Sequence, residues 1–149
     1  MKSGGDPLVG EICPTEAWRI LSAESDARLI DVRTRAEWGF VGVPDAGEIG
    51  HQTLFIEWAR YPDMSIDPDF AARVSEELGH GMVGPLLFIC RSGARSMQAA
   101  HAVVAHFAEQ GESVTCLNVS EGFEGDLDAK GHRGGHNGWK ARGLAWRQS

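Results

Sequence analysis

The residues richest in chemistry lie together, in Cys90-Arg91-Ser92-Gly93-Ala94-Arg95-Ser96. They follow an apolar run, Leu86-Leu87-Phe88-Ile89, and precede a helical pattern. A cysteine becomes nucleophilic when it loses its proton, and nearby positive charge or a helix N-terminus favours that loss. A turn between strand and helix can aim successive backbone N–H groups at one point, forming an anion nest. The positive end of the helix dipole faces the same point. Arg91 and Arg95 add formal charge, and Gly93 permits a backbone conformation that a side chain would obstruct. Together these influences favour thiolate over thiol at Cys90 and suit a small anionic substrate held by Arg91, Ser92, Gly93, Ala94, Arg95 and Ser96. A merely structural cysteine at a strand end would not need two arginines, a glycine and two serines beside it.

The other candidate groups read differently. With three cysteines in all, there is no disulfide framework, and an odd count leaves at least one thiol free within a chain. Cys13 precedes a helix and Cys116 lies in an apolar strand, so both read as packing residues. Gly131-His132-Arg133-Gly134-Gly135-His136-Asn137-Gly138 carries two histidines four apart. On a helix that spacing could serve zinc. The glycines disfavour a helix and no third ligand is apparent, so a turn-rich loop without metal is expected. His101 and His106 read as ordinary helix side chains.

The elements that must position Cys90 follow an alternating pattern of short apolar runs and helices. That pattern predicts an α/β domain with a mainly parallel sheet. Pro14 to about Ala23 is expected to be helical, with Pro14 in the first turn and Trp18 and Leu21 on one face. Arg28–Val32 reads as a strand, then Thr34 as a helix cap and a short turn through Trp38. Gly39–Gly50 reads as loop, Thr53–Ile56 as a strand and Tyr61–Pro68 as a surface excursion. A helix is expected over Asp69–Leu78, ended by Gly79 and Gly81. Leu86–Ile89 reads as a central strand covered on both faces. Ser96–Glu109 is the strongest helix, and Ser113–Leu117 another strand. The remainder is glycine-rich, with short turns around Phe123 and Trp139.

The loop Cys90–Ser96 resembles the active-site loop of single-domain rhodaneses, which are sulfurtransferases. Asp31-Val32-Arg33, followed by Glu37-Trp38, is similar to that family's Asp-x-Arg segment after the first core strand. The similarity runs from about Ile12 to Trp146. It implies the rhodanese-like fold, a mainly parallel sheet of about five strands flanked by helices. It also implies that the Cys90 thiolate takes sulfane sulfur from a donor such as thiosulfate. Cys90 would then hold the sulfur as a persulfide and pass it to cyanide or a thiol. Arg91 and Arg95 would position the donor's charge, and Ser92 and Ser96 could bond the terminal sulfur or, for Ser96, cap the helix. Asp31 and Arg33 would brace the loop from below. Two stretches depart from the family: Gly42–His51, where many members carry Gly-His-Ile-x-Gly-Ala, and Val119-Ser120-Glu121-Gly122-Phe123, where a Gly-Gly-x-x-x-Trp ending is usual.

Whole-chain composition narrows the alternatives. The 149 residues suit one domain with its own core, and 42% hydrophobic with 23% charged residues is ordinary for a globular chain. No apolar run reaches the ~20 residues needed to span a bilayer, and the first seven residues lack the apolar core of a signal peptide. A cytoplasmic location without membrane attachment is expected. The net charge of −7 disfavours nucleic acid as a partner. Yet Lys130, Arg133, Lys140, Arg142 and Arg147 follow Asp128 with no further acid. That basic tail is expected to lie on its own acidic domain, pinned by Trp139 and Trp146. The expected partners are a small anionic sulfur donor and a thiol or protein acceptor. The rival readings are a persulfide carrier or protein-interaction module, and a cysteine-dependent phosphatase or arsenate reductase. Phosphatase loops place five residues between cysteine and arginine, whereas four separate Cys90 from Arg95, a smaller cradle suited to one sulfur atom.

Overall fold

The computed structural model describes residues 9–79 and 83–149. Five strands, β1 (Gly10–Ile12), β2 (Arg28–Asp31), β4 (Leu54–Phe55), β7 (Leu86–Ile89) and β8 (Cys116–Val119), form one parallel sheet in the order β1-β8-β7-β2-β4. The helices are α1 (Pro14–Ala23), α2 (Arg35–Phe40), α3 (Phe70–Leu78) and α4 (Ala94–Glu109). Two small antiparallel ribbons complete the elements. The strand β3 (Val43–Pro44) pairs with β9 (Trp146–Arg147), and β5 (Ala59–Arg60) pairs with β6 (Ser65–Ile66). This is the expected α/β architecture, with helices carrying the crossovers that parallel strands require.

The central strand β7 explains the two-layer core. All four of its residues are buried, and successive side chains point to opposite faces. Leu86 and Phe88 pack with Phe70 and Val74 of α3 and Ala99 and Val103 of α4. Leu87 and Ile89 pack with Ala17 and Leu21 of α1, and with Phe123 and Trp139 from the chain's last third. The periodicity of each helix accounts for its place. In α4, Ala99, Ala100, Val103 and Val104 form the buried stripe. In α1, Pro14 opens the helix, while Ala17 and Leu21 face the sheet.

Several boundaries differ from the sequence reading. α4 begins at Ala94, two residues before Ser96, because Gly93 takes the N-cap position. β8 covers Cys116–Val119 rather than Ser113–Leu117, since pairing starts where Leu86 of β7 stands opposite Cys116. Strand propensity favoured Val114 and Thr115, but register on the central strand decides. The Gly39–Gly50 stretch holds β3 and a 3-10 turn at Gly47–Ile49. β3 exists because the distant Trp146–Arg147 supplies its partner, which no local pattern reveals. Gly79 does end α3, whereas Gly81 lies outside the described residues, as do the first seven positions read for a leader. No helix among the described residues is long and apolar enough to cross a membrane.

The basic segment is folded onto the domain. Trp139 is fully buried, sits edge-on to Trp18 at 5.8 Å, and donates its indole N–H to the Ala145 carbonyl at 2.7 Å. Lys140 Nζ lies 4.3 Å from the Trp146 ring centre. Arg142 pairs with Glu121, and Arg147 lies 3.8 Å from Asp45. Trp146 itself remains partly exposed and packs edge-on against Phe123.

Candidate active site

Cys90 stands one residue past the carboxyl end of β7, and α4 starts four residues later. Its side chain is buried, at 1% exposure. The Gly93 N–H donates to Cys90 Sγ at 3.1 Å, and Ser96 Oγ lies 3.2 Å from the same sulfur. Gly93 has φ of 110°, in the left-handed region. A Cβ there would stand 2.4 Å from the Ser120 carbonyl oxygen. Only glycine gives both that backbone turn and that close approach. The geometry places a sulfur at the positive end of a four-turn helix, with a backbone N–H already on it.

Ser96 belongs to the first turn of α4 and is not its cap. Its hydroxyl reaches Asn118 Oδ1 at 2.5 Å as well as the sulfur and the Gly93 carbonyl. Asn118 is buried in β8. Its Nδ2 donates to the Gly93 carbonyl and to Glu11 Oε2, each at 3.1 Å. Those two acceptors fix the amide so that Oδ1 faces Ser96. Sequence reasoning missed Asn118 because the expected strand stopped at Leu117. The available signal was a lone amide among Cys116, Leu117 and Val119, where a polar side chain requires a partner.

The two loop arginines have different surroundings. Arg91 is exposed. Arg95 forms a bidentate pair with Glu37 of α2, at 2.7 and 2.8 Å, and remains close enough for Coulombic coupling to Cys90. Burial by itself would raise the Glu37 carboxyl. The Arg95 bonds and charge, together with Thr34, outweigh it and hold Glu37 down at about 2. Thr34 caps α2, and its N–H and hydroxyl both reach Glu37 Oε1 in a capping box. Ser92 is half-buried and Ala94 exposed.

Asp31 and Arg33 form a fully buried ion pair. Arg33 donates through Nε and Nη2 to the Asp31 carboxylate, and Nη2 also reaches the Gly42 carbonyl at 2.8 Å. The guanidinium stacks 4.3 Å from the centre of the Phe123 ring. Phe123 in turn donates its N–H to the Cys90 carbonyl at 2.8 Å, and Glu124 donates to that of Arg91 at 3.0 Å. Gly122 makes this contact possible, because a Cβ there would fall 2.6 Å from the Cys90 carbonyl oxygen. The loop is thus held through its Cys90 and Arg91 carbonyls by Phe123 and Glu124, with Arg33 packed on the Phe123 ring, and through Arg95 by Glu37.

Among the described residues, no other thiol and no imidazole hydrogen-bonds the Cys90 sulfur. Burial pushes the Cys116 thiol up to about 12, which keeps it protonated and inert. Cys13 caps α1, its N–H donating to Glu16 at 3.1 Å. His132 and His136 are exposed, and among the described residues no three potential ligands gather at a point to hold a metal. A groove of about 710 Å³ opens between α2, β4 and α3, lined by Arg35, Trp38, Phe55, Tyr61 and Arg73. Cys90 is not among its lining residues.

Comparison with known proteins gives this arrangement a lineage. No family model matches the chain. The uncharacterized protein RC0915 of Rickettsia conorii is 33% identical over 138 residues, covering 93% of this chain and 97% of that one. The crystal structure of Rv0390 from M. tuberculosis superposes with a TM-score of 0.80 at 43% identity, over 95% of this chain and 98% of that one. The polysulfide-sulfur transferase homodimer of Wolinella succinogenes shares the fold at a TM-score of 0.55 and 21% identity, over 95% and 80% of the two chains. The parallel five-stranded sheet and these likenesses give the chain the rhodanese-like fold and place it in one family with RC0915 and Rv0390.

Proposed function

We propose that the protein is a sulfurtransferase that moves sulfane sulfur from a small anionic donor to a thiophilic acceptor through Cys90. The observation that carries this reading is the Cys90 sulfur, buried at the N-terminus of α4 and already accepting the Gly93 N–H. A nest of this kind favours negative charge on sulfur, both as thiolate and as persulfide.

With thiosulfate as donor, the Cys90 thiolate attacks the outer sulfur. A bond forms between the two sulfurs, the old sulfur–sulfur bond breaks, and sulfite leaves with the electron pair. The persulfide carries one negative charge, and the backbone N–H groups of residues 91–96 are its natural donors. Cyanide or a thiolate then attacks the outer sulfur and returns Cys90 to thiolate. One difficult transfer becomes two displacements, without a metal or organic cofactor in either. Arg91 faces the donor's charge, with Ser92, Gly93, Ala94 and Ser96 shaping the cradle. Arg95 adds to the field at the sulfur while strapped to Glu37. Asp31 and Arg33 support the loop and do not touch substrate.

The test is thiosulfate-to-cyanide transfer by the protein and by Cys90→Ala. Thiocyanate is expected from the first and a loss of at least ~100-fold from the second, the scale at which removing a covalent nucleophile acts. Mass spectrometry after thiosulfate treatment should find one added sulfur, mapped to Cys90. Activity that survives the substitution would place the chemistry elsewhere. Rapid loading from a persulfidated protein but not from thiosulfate would identify a carrier instead.

A further inference from the structure

The Gly131–Gly138 motif has no part in the reaction described so far. It is nevertheless bonded to Glu124 and Gly125, which in turn bond the Arg91 carbonyl of the Cys90 loop. The Gly134 N–H donates to the Glu124 carbonyl at 2.9 Å, and Glu124 donates to the Arg91 carbonyl at 3.0 Å. Arg133 Nη1 donates to the Gly125 carbonyl at 2.7 Å, and Gly125 donates to Arg91 at 3.1 Å. The covalent path across Gly125 adds about 4 Å, so the guanidinium lies within about 10 Å of the Arg91 carbonyl. That is roughly one Debye length at 0.1 M salt, so its charge acts at the Arg91 carbonyl in attenuated form.

The neighbouring cations are committed elsewhere. Arg33 is held by Asp31, Arg95 by Glu37, Arg142 by Glu121, and Lys140 lies over the Trp146 ring. Among the described residues Arg133 forms no ion pair, and the Gly125 carbonyl is its one side-chain hydrogen-bond partner. Its remaining N–H donors are available to an oxyanion, for which a planar guanidinium is well shaped. Acidic groups occur in the same segment, but Asp128 accepts the N–H groups of Lys130 and His132, and Asp126 accepts from Asn137. Arg133 is half-buried and tethered, which holds it in place before any ligand arrives.

We propose that Arg133, with Arg91, binds the charged, non-transferred end of the sulfur donor, the sulfonate of thiosulfate or its equivalent. This rests on the sulfurtransferase reading for the identity of the donor.

The test separates the cation from the reaction. Cys90 is alkylated with iodoacetate, an anion, and with iodoacetamide, which is neutral and of similar size. In both, a sulfur–carbon bond forms and iodide leaves. Arg133→Gln can keep a bond to the Gly125 carbonyl while losing the charge. It should slow iodoacetate about three- to tenfold and leave iodoacetamide within about twofold. Arg133→Lys should stay close to the parent with both reagents. Arg133→Ala serves the same comparison if the glutamine variant does not fold. The KM for thiosulfate should rise by a similar factor with kcat held. Equal slowing by both reagents, or no slowing by either, would overturn the proposal. Absence of sulfur transfer in the parent protein would overturn the sulfurtransferase reading alone, because the alkylation ratio still decides Arg133.

Discussion

At the scale of single residues, Gly93 sets the geometry around the thiol. An alanine there must adopt a left-handed backbone and also displace the Ser120 carbonyl. We expect Gly93→Ala to cost about 1–3 kcal/mol in urea unfolding, from backbone strain and the clash together. It should also slow Cys90 alkylation, because the N–H on the sulfur is lost with the turn. An unchanged unfolding midpoint would show that the loop tolerates another path. Asp31 offers a second case. Removing it leaves Arg33 as a buried charge without its carboxylate, and breaking such a pair costs about 3–5 kcal/mol. Asp31→Ala should therefore lower the melting temperature far more than any change at exposed Arg91. These residue types were legible in the sequence, since a thiol, a glycine and arginines in one turn have few other uses. Asn118 was not legible in role, because its part depends on Glu11 from β1 and Gly93 from the loop, which are brought together only by strand pairing.

Elements come next, and here the tie between α2 and the start of α4 is the informative one. Glu37 titrates at about 2 in the folded chain against an ordinary value of 4.5. A depressed carboxylate contributes stability that is fully present above the unfolded value. That contribution fades as pH falls from about 4.5 toward 2. Between pH 5 and pH 3 we expect the ion pair's share of the loss to be about 1–2 kcal/mol, reduced from the full shift because the pair is partly solvated. Urea titrations at the two pH values would measure it. In Glu37→Gln the loss over that window should shrink, and an unchanged loss would assign the acid sensitivity to other carboxylates. Glu37 three residues after Thr34 is a capping signature that any reader could find. Its long-range partner Arg95 is invisible until α2 and the Cys90 loop are set side by side at the carboxyl ends of β2 and β7. The helices and central strands were legible from periodicity, because burial on both faces leaves a continuous apolar run. The ribbon of β3 and β9 was not, because each half is only two residues long and its partner is about a hundred residues away.

The whole molecule is organised so that its last third completes its middle. Trp139 is fully buried between α1 and the sheet, and its loss would leave a cavity of aromatic size. Removing residues after Gly138 should cost about 3–5 kcal/mol or more, the scale of a buried tryptophan. A calorimetric scan of the truncated chain tests this, and an unchanged melting temperature would show that the segment is merely draped on the surface. The basic charge of this segment was plain in the composition, and its ion pairs with Glu121 and Asp45 needed the fold to become visible. The order of its attachments has a temporal meaning. Cys90 and Arg91 are clasped by the turn at Phe123–Gly125, and the carbonyls of Gly122 and Phe123 accept the N–H groups of Trp139 and Lys140. During synthesis the nucleophile therefore emerges some fifty residues before the last piece of its support. A nascent chain carries the thiol before it carries the residues that complete its surroundings, so the proposed chemistry of Cys90 waits on residues made some fifty positions later.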